Sequence, residues 1–336
     1  MSESLDNLIH PDSEVSDRVL KHWLKVYNLQ HTADTKEKLQ ELLGKLISEG
    51  KLTRDELNAA IREIEEIGGK RIFLRYLADK RTIRSQEAFE DHLKSIRRRL
   101  DKAPTATIYK PERPVINYIS WEPKEEDKAG QKPKRKRGDR IRVKFSETHL
   151  KAVGTDLTTG TVEVAQTTKF VIATVELGTG FTCIFVDYPG DEHPHKDRRG
   201  RSRRELYEQF YFDWVTELFD AQALIPFDLT PAADRLMNGP SRIFRIPYET
   251  VITGGKSRQT YSSVEDVIKD PAREGAEQAD GSNWQFEELS GYWLPAQSGG
   301  LIERELFTQI VRANSVIRVL ADCLASEVEY VISKLR

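Results

Sequence analysis

"KFVIATVELGTGFTCIFVDYPG", residues 169–190, decides how this chain is read. Val171, Ile172, Val175, Phe181, Ile184, Phe185 and Val186 crowd two apolar runs, and Gly178-Thr179-Gly180 separates them. β-Branched and aromatic runs on either side of a short glycine turn predict an antiparallel hairpin. "LGTGF" (177–181) is therefore read as a turn. No GxGxxG lies between a strand and a helix, and no GxxxxGK followed by Ser or Thr occurs, so nucleotide-cradling loops of those kinds are excluded.

The β texture extends outward from that hairpin. "VINYISW" (115–121), "RIRVKFS" (140–146), "LKAVGTD" (150–156) and "TGTVEVAQ" (159–166) are short, β-rich and bounded by turn residues. "TATIYK" (105–110) and "SRIFRIPYETVITGG" (241–255) read the same way. "RELYEQFYFDWVTELF" (204–219) interrupts them at helical spacing, with Leu206, Phe210, Trp214 and Leu218 in line. The last 36 residues, from "LIERELFTQIV" to the end, read as one long amphipathic helix or two. Their stripe is Leu306, Ile310, Val316, Leu320, Leu324, Val328 and Val331.

Toward the N-terminus the period changes to 3.6. "DRVLKHWLKVYNL" (17–29) aligns Val19, Leu20, Trp23, Leu24 and Tyr27. "TADTKEKLQELLGKLISEG" (32–50) aligns Leu39, Leu42, Leu43, Leu46 and Ile47, with Thr35 as N-cap and Gly50 as stop. "LTRDELNAAIREIEEIG" (52–68) opens on Thr53 with Glu56 three residues later, the capping-box spacing. A fourth helix is expected over "KRIFLRYLAD" (70–79) and a fifth over "SQEAFEDHLKSIRRRL" (85–100). The expected architecture is thus α+β. A flexible tail (1–14) precedes a helical domain (15–100). A mixed domain (105–336) follows, with a predominantly antiparallel, curved sheet, basic loops at 123–140 and 190–204, and a C-terminal helix.

Lys and Arg total 52 and Asp and Glu 54, so net charge identifies no partner; its distribution does. "QKPKRKRGDRIRVKF" (131–145) packs in Lys132, Lys134, Arg135, Lys136, Arg137, Arg140, Arg142 and Lys144 against Asp139 alone. "HKDRRGRSRR" (195–204) contributes Lys196, Arg198, Arg199, Arg201, Arg203 and Arg204. "SIRRRLDK" (95–102) contributes Arg97, Arg98 and Arg99. Blocks of like charge repel one another, and phosphate is the usual reason to keep them. Each cation that neutralises a backbone phosphate releases counterions and adds salt-dependent affinity without reading bases. Duplex DNA is the expected partner. A basic run also serves as a nuclear import signal or docks on an acidic protein, and both readings stand as rivals.

The enzymatic alternative lies in "VDYPGDEHPHKD" (186–197), where Asp187, Asp191, Glu192 and His193 could hold Mg²⁺ or another divalent metal in a nuclease. Pro189, Gly190 and Pro194 leave those ligands on no regular element, so no catalytic site and no cofactor is the leading reading. The two cysteines, Cys183 and Cys323, sit in apolar runs and form no CxxC pair. They read as buried free thiols of an intracellular protein, placed in cytoplasm or nucleoid in a prokaryote and in the nucleus in a eukaryote. No apolar run approaches the roughly 18 residues of a membrane span, so no membrane is expected. The apolar C-terminal stripe, if exposed, would serve a protein partner or self-association.

Residues 20–43, "LKHWLKVYNLQHTADTKEKLQELL", resemble the SAP motif. Leu20 and Leu24 fill its first helix, Asn28-Leu29 its Gly-Leu step, and Leu39, Leu42 and Leu43 its second helix. The resemblance implies duplex-DNA binding, with Lys36 or Lys38 near the motif's loop lysine. The glycine usual in that loop is absent around Ala33-Asp34. The element order, with "FEDHLKSIRRRL" followed by "ATIYKPERPVINYISW" and a β section, is similar to that of centromere protein N and its yeast counterpart. That similarity implies a small death-fold-like helical domain beside a sheet domain, sequence-independent contact with DNA backbone, and work as a subunit of a larger complex.

Overall fold

The computed structural model describes residues 17–29, 32–79, 83, 85–100, 115–122, 140–156, 161–187, 203–238, 244–245, 250–254, 257–261 and 285–336. The tail (1–14), "TATIYK", most of both basic loops and the connector 269–284 lie outside the described residues. The protein is α+β, with a largely antiparallel sheet and a helix at its C-terminus. The chain divides into two compact units that do not follow chain order. One takes Met1–Lys70, Asp228–Ala313 and Ile317–Arg336; the other takes Arg71–Phe227 and Asn314–Val316. The helical stretch 15–100 is therefore divided between them.

The first unit opens with α1 (Asp17–Val26), α2 (Lys36–Ser48) and α3 (Arg54–Ile67). Val19, Leu20, Leu24, Leu39, Leu43, Leu57 and Ile64 are almost fully buried together, with Leu324 in the same cluster. Each such side chain stabilises the fold by about 1.5–3 kcal/mol relative to exposure. Tyr27 lies beyond the end of α1 and is 62 % exposed, so the apolar stripe is one residue shorter than its spacing predicts. Thr35 Oγ1 accepts from the Lys38 N–H (3.3 Å) to start α2. Thr53 and Glu56 form the reciprocal capping box of α3, at 2.8 and 3.2 Å.

Two glycines end α3. Gly69 has φ +65°, which a side chain resists, and a Cβ on Gly68 would lie 2.9 Å from the Asp322 Cα. The chain then enters β1 (Lys70–Leu77) in place of the expected fourth helix. Ile72, Phe73 and Leu74 are consecutive and all buried. Burial of three successive residues needs both faces of a strand, and periodicity cannot tell such a short apolar run from a helical stripe.

The second unit holds most of β1, then α4 (Gln86–Leu100), β2 (Val115–Glu122), β3 (Arg140–Asp156), β4 (Thr161–Glu176), β5 (Phe181–Asp187), α5 (Arg203–Leu218) and β6 (Leu224–Pro226). Its strands run β2-β3-β4-β5-β1, with β6 antiparallel on β1. The four short strands expected over 140–176 are two long ones, paired from Arg140↔Glu176 to Asp156↔Thr161. Register shifts at Ile116/Tyr118 and Ala152/Gly154 bend them, as bulges do. The predicted turn at 177–180 connects β4 to β5. Helix α5 turns Tyr211, Val215 and Leu218 inward, and Tyr211 meets Phe145 of β3 edge-on at 6.2 Å. Phe210 and Trp214, placed inward by the spacing, are only half-buried.

The remaining elements belong to the first unit: α6 (Thr230–Asn238), β7 (Phe244–Arg245), β8 (Thr250–Gly254), β9 (Ser257–Tyr261), β10 (Gln285–Trp293), β11 (Leu306–Val311), β12 (Val316–Val319, apart from Val316) and α7 (Ala325–Leu335). Their strand order is β12-β11-β10-β8-β9, with β7 also on β10. The long terminal helix is thus corrected to two strands and a short helix. Leu306, Thr308 and Ile310 are buried while their neighbours are not, a period of two that the i, i+4 pair Leu306/Ile310 imitates. Ser315, at φ +49°, turns the chain between the strands. On α7, Val328, Val331 and Leu335 are at most 1 % exposed and belong to the unit's own core, while Leu320 of the expected stripe is 48 % exposed.

Candidate nucleic-acid interface

Strand β3 sorts its residues by alternation. Ile141, Val143 and Phe145 are fully buried on one face, which puts Arg140, Arg142 and Lys144 on the other. Their neighbours differ. Arg140 stands opposite Glu176 of β4, so a carboxylate occupies that flanking position. Arg142 stands between Ser120 and Thr174, with no carboxylate directly opposite. Lys144 is only 7 % exposed, and its Nζ lies 4.0 Å from the centre of the Phe170 ring. Of these three cations, Lys144 is held inside.

Lys132, Lys134, Arg135, Lys136 and Arg137 lie outside the described residues, as do Lys196, Arg198, Arg199 and Arg201. Arg203 and Arg204 open α5. Arg97, Arg98 and Arg99 lie in the last turn of α4. Further along α5 the sign reverses. Asp213, Thr216, Glu217, Asp220 and Ala221 join His92 of α4 around a cleft of about 390 Å³, whose charge would repel phosphate.

In the first unit, Lys36 and Lys38 are exposed in the opening turn of α2. Lys38 Nζ donates to Asp34 Oδ2 at 3.0 Å, and this bond and the lysine's charge hold the Asp34 carboxyl below its ordinary range. Lys36 adjoins Glu37, and its charge helps to hold that carboxyl below its ordinary range, behind the hydrogen bonds from the Glu37 backbone and Thr35.

A further set of cations was not legible from charge runs. Helix α1 presents Arg18, Lys21, His22 and Lys25, and the segment before β11 brings Glu303 and Arg304 to them around a cleft of about 220 Å³. Their i, i+3, i+7 spacing along α1 was a usable signal for three of the cations. Nothing in the sequence announced Glu303 and Arg304, which arrive through tertiary packing.

The alternative metal loop is hardly sampled. Asp187 is the last residue of β5, and Asp191, Glu192 and His193 lie outside the described residues. Among the described residues no group of three or more His, Cys, Asp and Glu could hold a metal ion. Also among them, no helix is long and apolar enough to cross a membrane. Cys183 and Cys323 are both free and buried, as their apolar surroundings predict.

No protein-family model matches the chain, and no curated protein matches it.

Proposed function

We propose that the protein binds nucleic acid, duplex DNA first, through phosphate contacts that do not read sequence, and that it acts as a non-enzymatic intracellular subunit or adaptor. The observation that carries this reading is the company of the basic residues. Arg142 of the run 131–145 and Arg203 and Arg204 of the run 195–204 belong to one and the same unit. Runs of like charge such as 195–204 repel one another, and a polyanion offsets that cost. The likeness of residues 20–43 to the SAP motif supports the same reading, with Lys36 as an exposed cation of α2. So does the likeness in element order to centromere protein N.

The test is a gel shift on two unrelated duplexes over a salt series, with and without Mg²⁺. Wild-type protein is expected to bind both alike, with log K falling linearly against log salt. Reversing Arg142 and Arg203 together to Glu should weaken both complexes equally and flatten the slope by about 0.9 per lost phosphate contact. Mg²⁺-dependent loss of the duplex, abolished by Asp191→Ala, would replace this reading with a nuclease. Failure to bind duplex at low salt would leave the basic runs for an acidic protein.

A further inference from the structure

The cleft on α1 has an unusual charge account. Four cations line it, Arg18, Lys21, Lys25 and Arg304, against the single carboxylate of Glu303. That carboxylate is already answered: Lys25 Nζ is 2.6 Å from its Oε1, and His22 Nδ1 is 3.0 Å from its Oε2. Arg304 gives Nη2 to the backbone oxygen of Asp322, while its buried Nε has no hydrogen-bond partner. Arg18 and Lys21 form no hydrogen bond or ion pair among the described residues. The nearby Asp34 feels Lys21 but is bonded to Lys38. Behind the cleft Glu327 faces His22 at 4.0 Å, and its other oxygen accepts from the Leu324 N–H.

Lys25 cancels Glu303, Arg304 also feels the buried Glu327 behind the wall, and Arg18 and Lys21 are left without an ion pair among the described residues. A phosphodiester carries one negative charge; a phosphomonoester carries about 1.5 to 2 at pH 7, with three strong acceptor oxygens. Guanidinium forks grip such oxygens in pairs, and a lysine adds a mobile point charge. Water occupies roughly 30 Å³ per molecule in the liquid, so a cleft of this volume has room for a phosphate group and a few waters. His22, 7 % exposed, forms part of the wall and is fixed between two carboxylates.

We propose that this cleft is a seat for a dianionic phosphate group, held by Arg18, Lys21 and Arg304. The group is either inorganic phosphate or the phosphomonoester at a nucleic-acid strand end. The seat lies in the first unit and does not depend on backbone binding by the cations of the second.

The experiment titrates inorganic phosphate into the full chain at constant ionic strength, with chloride as the replaced anion, by calorimetry and by thermal melting. Wild type is expected to show saturable binding and a rise in Tm. Arg18→Gln/Lys21→Gln should bind at least tenfold more weakly, with its phosphate-free Tm and far-ultraviolet dichroism unchanged. Lys45→Gln, an exposed change on α2 outside the cleft, should bind like wild type. Should the double variant fail to fold, Arg18→Gln alone is expected to lose about threefold. Competition with duplexes that carry or lack a 5′-phosphate then names the source. Stronger displacement by the phosphorylated end assigns the seat to strand ends, and equal displacement assigns it to the free ion. Absence of saturable phosphate binding by wild type, or equal affinity in the double variant, overturns the proposal.

Discussion

Lys144 of β3 reaches diagonally across the ladder to lay its ammonium on the ring of Phe170 of β4, 4.0 Å from the centroid. Such contacts are worth about 0.5–1 kcal/mol when exposed and about 2 when desolvated. The side chain is nearly buried, so it belongs to the fold although it sits in the basic run. Lys144→Ala is expected to lower unfolding free energy by about 1–2 kcal/mol and to leave the salt slope of duplex binding unchanged. Arg142→Ala should flatten that slope. Urea melts and gel shifts on the two variants separate the roles, and a salt slope that flattens in Lys144→Ala would return this residue to the interface.

That contrast marks how far charge patterning reaches. Alternation alone puts Arg140, Arg142 and Lys144 of the basic run on one face of a strand. It could not show that Glu176 stands beside Arg140, because register is a tertiary fact. Helices α1 to α3 were legible because a leucine period and the caps at Thr35 and Thr53 agreed. The segments 70–77 and 306–319 were misread for opposite reasons. In the first, burial on both faces erased any period; in the second, alternate buried positions also satisfied i, i+4. The cleft on α1 stayed half-hidden, since Arg304 joins Arg18 and Lys21 only after the chain has folded.

Inside the second unit, Arg71 forms an ion pair with Glu208 of α5, and both side chains are almost wholly buried. Removing one partner of such a pair leaves an uncompensated buried charge, at a cost of about 3–5 kcal/mol. Glu208→Ala is expected to fall in that range. Arg71→Met/Glu208→Leu, which removes both charges and keeps volume, should cost less than the single change. Chemical denaturation of the three proteins decides it. A double variant more damaged than Glu208→Ala would show that the cost of the single change is not that of an orphaned buried charge.

The thiols should be silent in the native state. Burial pushes the Cys323 thiol far above its ordinary range, with the Glu327 charge acting in the same direction. Cys183 is 5 % exposed within β5. An aromatic disulfide reagent is expected to modify both residues in guanidinium and neither quickly in native buffer, where reaction needs local opening and runs roughly 100-fold slower or more. Rapid native labelling of one thiol per chain would locate an element that opens readily.

The two carboxylates beside His22 should respond oppositely to removal of their charge. Burial raises the Glu327 carboxyl above its ordinary range; the bond from the Leu324 N–H and the charges of His22 and Arg304 pull it down without prevailing, and Glu303 adds to the rise. A carboxyl raised in the folded state binds its proton more readily there than in the unfolded chain. Its ionisation therefore counts against the fold at neutral pH, and the cost fades as pH falls through the folded value. Glu327→Gln keeps an oxygen to accept from Leu324 and carries no charge, so its urea midpoint should exceed the wild-type value at pH 8. Glu303 is the reverse case. Burial pushes it up, yet the hydrogen bonds from Lys25 and His22 and their charges outweigh that and leave it lowered. Its stabilising contribution is present above the unfolded carboxylate value of about 4.3 and is lost as pH falls through the folded one. Glu303→Gln should therefore be the less stable protein at pH 8. Both variants should converge on wild type in acid, once each carboxyl is protonated in both states. A Glu327→Gln deficit of equal size at pH 8 and in acid would mean that the carboxylate acts only as the cap of α7, and that its burial carries no electrostatic cost.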